Sequence, residues 1–186
     1  QIQIVSVLLD KPDIRVLVME DGSANYDIVK ETEAEESVEE SAEASEPLNI
    51  GIQKWEINDG NILYGDATIP FYTILVGLNH EGSGDFSQDV FDMITTTTVN
   101  QLYLGYDGDE YVTNKKLTAD ITMAMDLANM KFTFKENRLA LNDFDFGFDG
   151  FVSMPSDDID MDIKYEGKDI TLTSIISLIP GVYLDY

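Results

Sequence analysis

The strongest constraint in this chain is a two-residue beat. From Asp158 to Tyr165 the odd positions (Ile159, Met161, Ile163, Tyr165) are apolar and the even ones (Asp158, Asp160, Asp162, Lys164) are charged. Leu117, Ala119, Ile121, Met123, Met125 and Leu127 keep the same beat against Thr118, Asp120, Thr122, Ala124 and Asp126. It returns in Phe144, Phe146 and Phe148, set against Asp143, Asp145, Gly147 and Asp149. Successive strand residues point to opposite faces of a sheet, so each run has one apolar face and one acidic, hydrated face. Alternation this clean favours antiparallel pairing, because parallel strands are covered by apolar layers on both faces.

The connections read as turns. Asn58-Asp59-Gly60-Asn61 stands between WEI and ILY, and Asp-Gly is a favoured hairpin pair. Asp107-Gly108-Asp109 separates QLYLGY from EYVTN, Glu136-Asn137 lies between KFTF and RLAL, and Glu166-Gly167 follows IKY. Leu139 and Leu141 are out of phase with Phe144, so Asn142-Asp143 marks a bulge or a break. Helix is scarce. Leu172 to Leu178 is one candidate, with Thr171 or Thr173 as its N-cap and Pro180-Gly181 as its stop. Gln88 to Met93 is a second.

The expected fold is mainly β, a curved antiparallel sheet with one or two short helices. Those helices are too small to cover it. Its apolar face is therefore closed by folding over as a sandwich or half-barrel, packed on more protein, or left as an open groove. Periodicity leaves all three open. Residues 1–186 are expected to form a single β-rich domain or a portion of a longer protein, since Gln1 leads at once into a strand-like run.

Charge narrows the partners. Lys and Arg number 11 against 36 Asp and Glu, a net −25, so the basic patch that nucleic acid requires is missing. Eight of the acids fall in Glu31 to Glu46 (ETEAEESVEESAEASE). Like charges at Glu31/Glu35, Glu35/Glu39, Glu36/Glu40 and Glu39/Glu43 oppose a helix, and Val38 is its one sizeable apolar residue. The segment is expected to be a disordered, solvated insert. The rest of the chain still carries 17 of the net negative charges, so the folded part is acidic too.

Enzyme chemistry finds little footing. The chain has no Cys, which removes disulfides, thiolate zinc sites and cysteine nucleophiles. His80 is the single histidine, and Gly82-Ser83-Gly84 beside it lacks the spacing of a nucleophile elbow; the stretch reads as a hydrophilic turn after a strand from Phe71 to Leu78. Acids on a solvated face lack the burial that raises a glycosidase carboxyl. Asp158, Asp160 and Asp162 begin like an EF-hand loop, but Ile163 stands where the sharp turn needs Gly. No cofactor, metal or catalytic residue is expected.

DGSANYDI (Asp21 to Ile28) and LNIGIQKWEINDGNILYGD (Leu48 to Asp66), with the acidic insert between them, resemble the opening strands of the AsmA family of bacterial envelope proteins. KFTFKENRLALNDFDFGFDG (Lys131 to Gly150) and DITLTSIISLIPGVY (Asp169 to Tyr183) resemble later pieces in the same order. The resemblance implies an elongated β-rich periplasmic region of a longer, membrane-anchored chain. It also implies a role in outer-membrane biogenesis and β-grooves that carry phospholipid. This chain is short and lacks the anchor helix, so such a role would belong to the longer protein.

Met123, Met125, Phe144, Phe146, Phe148, Ile159, Met161 and Ile163 are then either ordinary core or the lining of a groove for phospholipid acyl chains. A competing expectation is a secreted β-sandwich that binds carbohydrate or protein, with Trp55, Tyr103 and Tyr106 as an aromatic platform.

Overall fold

The computed structural model describes residues 2–27, 50–155, 158–168, 171–176 and 178–179; the expected acidic insert at 31–46 lies outside the described residues. The two-residue beat does form strands. β1 (Ile2–Asp10) and β2 (Asp13–Val18) lie end to end along one side of β3 (Ile50–Asp66). A meander follows: β4 (Phe71–Ser83), β5 (Val90–Tyr106), β6 (Asp109–Asp126), β7 (Lys131–Leu141), β8 (Phe144–Ser153) and β9 (Asp160–Lys168). Each pairs antiparallel with the strand before it. Helix α1 (Leu172–Ile176) comes last, and the Ser174 N–H donates to its cap, Thr171 Oγ1, at 3.1 Å.

The result is one nine-stranded sheet in the order β1-β3-β4-β5-β6-β7-β8-β9, with β2 also on β3. It is open, because β1 and β9 do not pair with each other. The expected mainly-β, curved sheet is what forms, and among the described residues it is a single layer rather than a sandwich. Pairing is antiparallel except at one side, where β1 and β2 run parallel to β3. A parallel neighbour needs a long crossover, and the stretch between Val18 and Ile50 provides the length.

Three expected turns are not turns. Asp59-Gly60 lies inside β3, Glu136-Asn137 inside β7, and Glu166-Gly167 inside β9. The first two are bulges, with register shifts at Ile57/Gly60 and Phe134/Asn137. Bulges and hairpin turns share a need for left-handed backbone, which Asp59 (φ 48°) and Glu136 (φ 51°) adopt. Local sequence therefore cannot say whether the chain reverses there. Gln88 to Met93 is not helical either, since Val90 already begins β5. The turn at Asp107-Gly108 and the break at Asn142-Asp143 both occur as expected.

Asparagine side chains repair the bulges. Asn79 Oδ1 accepts the Asp59 N–H at 3.1 Å, Asn61 Oδ1 the Gly77 N–H at 3.3 Å, and Asn137 Oδ1 the Thr122 N–H at 2.6 Å. Each takes up a main-chain donor that the irregular ladder would otherwise leave without a partner. Bulges bend strands and increase their twist, so those in β3 and β7 contribute to the curvature of the sheet.

The sense of the curvature follows from burial. Leu78, Thr95, Val99, Met125 and Asn137 are all under 10% exposed, Val99 at 1%. All five fall on the apolar face by register. A single layer can bury side chains this deeply only on its concave side. The apolar face is therefore the inside of the curve.

Candidate functional site

The concave face is built in rows that cross the strands. One row runs Phe91, Met125, Phe132, Val152, Met161 from β5 to β9, each directly opposite the next. The adjacent row runs Met93, Met123, Phe134, Gly150, Ile163. Cross-strand pairs of this kind are the unit by which a sheet face coheres. Further along, Phe148 faces Tyr165, Phe146 faces Gly167, and Phe144 faces Leu141. Phe134 packs on Phe148 at 5.4 Å between centroids, and Phe144 on Phe146 at 5.8 Å. Because Gly167 has no side chain, Phe144, Phe146 and Tyr165 bound an open hollow of about 430 Å³ there.

Of the eight residues singled out in the sequence, Met123, Met125, Phe144, Phe146, Phe148, Met161 and Ile163 share this face. Ile159 precedes β9 and is exposed. Exposure rises toward the β9 rim, to 60% for Met161 and 81% for Tyr165. The middle of the sheet is thus a partly closed core, and its margin is an open apolar surface. A sheet about 34 Å wide, from seven spacings of about 4.8 Å, cannot be covered by a five-residue helix about 7.5 Å long.

At the other end of the face is a cluster that the sequence reading missed. Trp55 lies across Gly82, the residue opposite it on β4, and any side chain at Gly82 would collide with the indole. Its Nε1–H donates to His80 Nε2 at 2.9 Å, and His80 Nδ1 lies 2.8 Å from Thr97 Oγ1. Phe86 closes on Trp55 at 5.5 Å and on Phe91 at 4.8 Å. Burial depresses the His80 pKa below its ordinary value. The expected turn after Leu78 is instead a continuation of β4 to Ser83, which carries His80 onto the concave face. The signal was available, because Leu78, His80 and Gly82 keep the two-residue beat. Tyr72 repeats the aromatic-over-glycine arrangement on Gly105, and its hydroxyl donates to Glu110 Oε1 at 3.1 Å.

The convex face holds the ion pairs. Lys54 Nζ lies 2.8 Å from Glu81 Oε1, and Lys135 Nζ lies 2.7 Å from Asp92 Oδ1. Arg138 Nε donates to both carboxylate oxygens of Asp145, at 3.0 and 2.9 Å. Hydrogen bonding to these cations holds the carboxyls of Glu81 and Asp145 below the usual range. These pairs are largely exposed, so they orient side chains more than they stabilise the fold. Asp160 and Asp162 point to this face along β9, and no group of three or more His, Asp or Glu among the described residues is placed to hold a metal ion. The aromatic platform expected of a carbohydrate binder does not assemble. Trp55 stands in the row of Gly82 and Thr95, whereas Tyr103 and Tyr106 lie far along β5 from that row, opposite Ile74 and Phe71.

No protein-family model matches the chain, and neither a curated protein nor a solved structure matches it.

Proposed function

We propose that this chain is a non-enzymatic module whose concave face receives phospholipid acyl chains, within a periplasmic envelope protein that serves outer-membrane assembly or phospholipid handling. The observation that supports it is an apolar face with no second layer over it among the described residues. The two cross-strand rows contain no charged side chain, so a hydrocarbon chain laid along them meets only apolar groups. Each buried methylene contributes about 0.8 kcal/mol. Met93, Met123 and Met125 are flexible, polarisable side chains that adapt to chains of differing length and unsaturation. Charged headgroups stay at the rim, where water reaches them. The periplasmic setting and the membrane-anchored longer chain rest on the AsmA resemblance.

Native mass spectrometry of gently purified protein, with extraction and identification of bound lipid, tests the proposal. Co-purifying phospholipid or fatty acid, lost on Met123→Lys, is the expected result. Protein that carries no lipid, and takes up none from phosphatidylethanolamine vesicles, overturns it.

A further inference from the structure

An open sheet has two edges, and here they are finished differently. On β9 the convex side carries Asp160, Asp162, Lys164, Glu166 and Lys168, all exposed. Charges along an edge deter other strands from pairing with it. On β2 the edge is occupied by Asn25. Leu17 N–H donates to Asn25 Oδ1 at 3.0 Å, the Asn25 N–H returns to Leu17 O at 3.0 Å, and Asn25 Nδ2 donates to Arg15 O at 2.8 Å. Three main-chain groups that β2 turns away from β3 are thereby paired.

β1 has neither device. Ile4 to Leu9 contains no charge and no proline, and among the described residues β1 pairs with β3 alone. Val5 is 71% exposed and Leu8 58%. Alternate residues of a strand paired on one side present free N–H and C=O groups on the other. Such an edge is a template for another strand.

The sequence of β1 says which strand fits. Ile4-Val5-Ser6-Val7-Leu8 has the same character read in either direction about Ser6. Val7 lies opposite Trp55, so Val5 and Val7 share the concave side and Ile4 and Leu8 the convex side. An isologous contact needs this self-complementarity, since each residue meets its mirror position in the partner. We propose that two copies of this chain pair antiparallel through β1, with Ser6 at the twofold axis. Val5 then faces Val7 of the second copy, and Ile4 faces its Leu8. The register keeps both concave faces on one side, so the two apolar surfaces become continuous. The proposal stands independently of any lipid. Two chains of net charge −25 repel at long range, and the one charge within β1, Asp10, sits at the end of the contact opposite Ile2, so salt strengthens the association.

Sedimentation velocity over a range of protein concentrations, at physiological and at several-fold higher salt, tests this on the full chain. A concentration-dependent dimer that tightens with salt is expected. Val5→Lys, at a position largely exposed in the monomer, weakens it by roughly tenfold or more. Val7→Glu does the same. Mixing the two variants, each checked for native circular dichroism, restores a heterodimer, because the new ammonium of one chain faces the new carboxylate of the other. A monomer under all conditions, or a dimer indifferent to Val5→Lys, overturns the proposal. A mixture of folded variants that stays monomeric overturns the register.

Discussion

Trp55 and His80 are joined by a hydrogen bond of 2.9 Å between indole Nε1 and imidazole Nε2, and this bond fixes the protonation state of the histidine. Indole nitrogen can only donate, so His80 Nε2 must present its lone pair. The ring proton then sits on Nδ1, where it is donated to Thr97 Oγ1 at 2.8 Å. His80 is neutral in the folded protein, held so by burial and by the geometry of its neighbours.

Acidification therefore loosens this end of the sheet. His80 titrates lower in the folded chain than in the unfolded one, where the value is about 6.5. Below that pH the unfolded chain takes up the proton first, and the contribution of His80 to stability is lost as pH falls through the folded value. Thermal melts between neutral pH and about pH 5 are expected to fall more steeply for wild type than for His80→Gln, whose amide oxygen accepts from the indole at either pH. Parallel curves would show that the pair does not govern the response.

Gly82 exists to admit the indole. Gly82→Ala drives a methyl group into Trp55 and is expected to lower stability by about 1–3 kcal/mol in urea unfolding, with a shift in tryptophan emission. Gly108→Ala has open space around it and serves as a comparison, costing only backbone strain at its positive φ. A variant at Gly82 that keeps native stability and emission would mean that the indole is not seated across that glycine.

Asn137 is nearly fully buried and supplies the one acceptor that Thr122 N–H finds within its bulge. Asn137→Ala strands that donor and is expected to cost about 1–3 kcal/mol. Hydrogen exchange at Thr122 is expected to rise well beyond what global destabilisation explains.

The two faces of β9 differ by one residue. Ile163→Asp places a carboxylate on the concave row beside Phe134 and Gly150, and is expected to cost about 1–3 kcal/mol. Asp162→Asn, on the hydrated side, is expected to stay within about 0.5 kcal/mol of wild type. Equal effects in urea melts would refute the assignment of faces.

Much of this could be read from the residues because a two-residue beat is a local property. Phe144, Phe146 and Phe148 declare their shared face without reference to anything distant. Lengths were harder to read. Asp59-Gly60 and Glu136-Asn137 carry turn chemistry, yet β3 and β7 run through them. Only the pairing of neighbouring strands decides whether left-handed backbone becomes a turn or a bulge. Curvature was hidden for the same reason, since a bulge is recognisable only once its strand is paired with a neighbour. The Trp55–His80 bond joins residues 25 apart in sequence and is set by the register of β3 on β4. The parallel placement of β1 and β2 carries no local mark at all.

That parallel placement has a kinetic consequence. From β3 to β9 every strand pairs with its immediate successor across a short connection, so the meander can assemble as a succession of hairpins, each templating the next. β1 and β2 cannot join in this way. Their partner is β3, and more than 30 residues of chain separate Val18 from Ile50, so they dock only after a long loop closes. The first residues of this chain are then the last to be laid on the sheet. Until they arrive, the flank of β3 is itself an unfilled strand site.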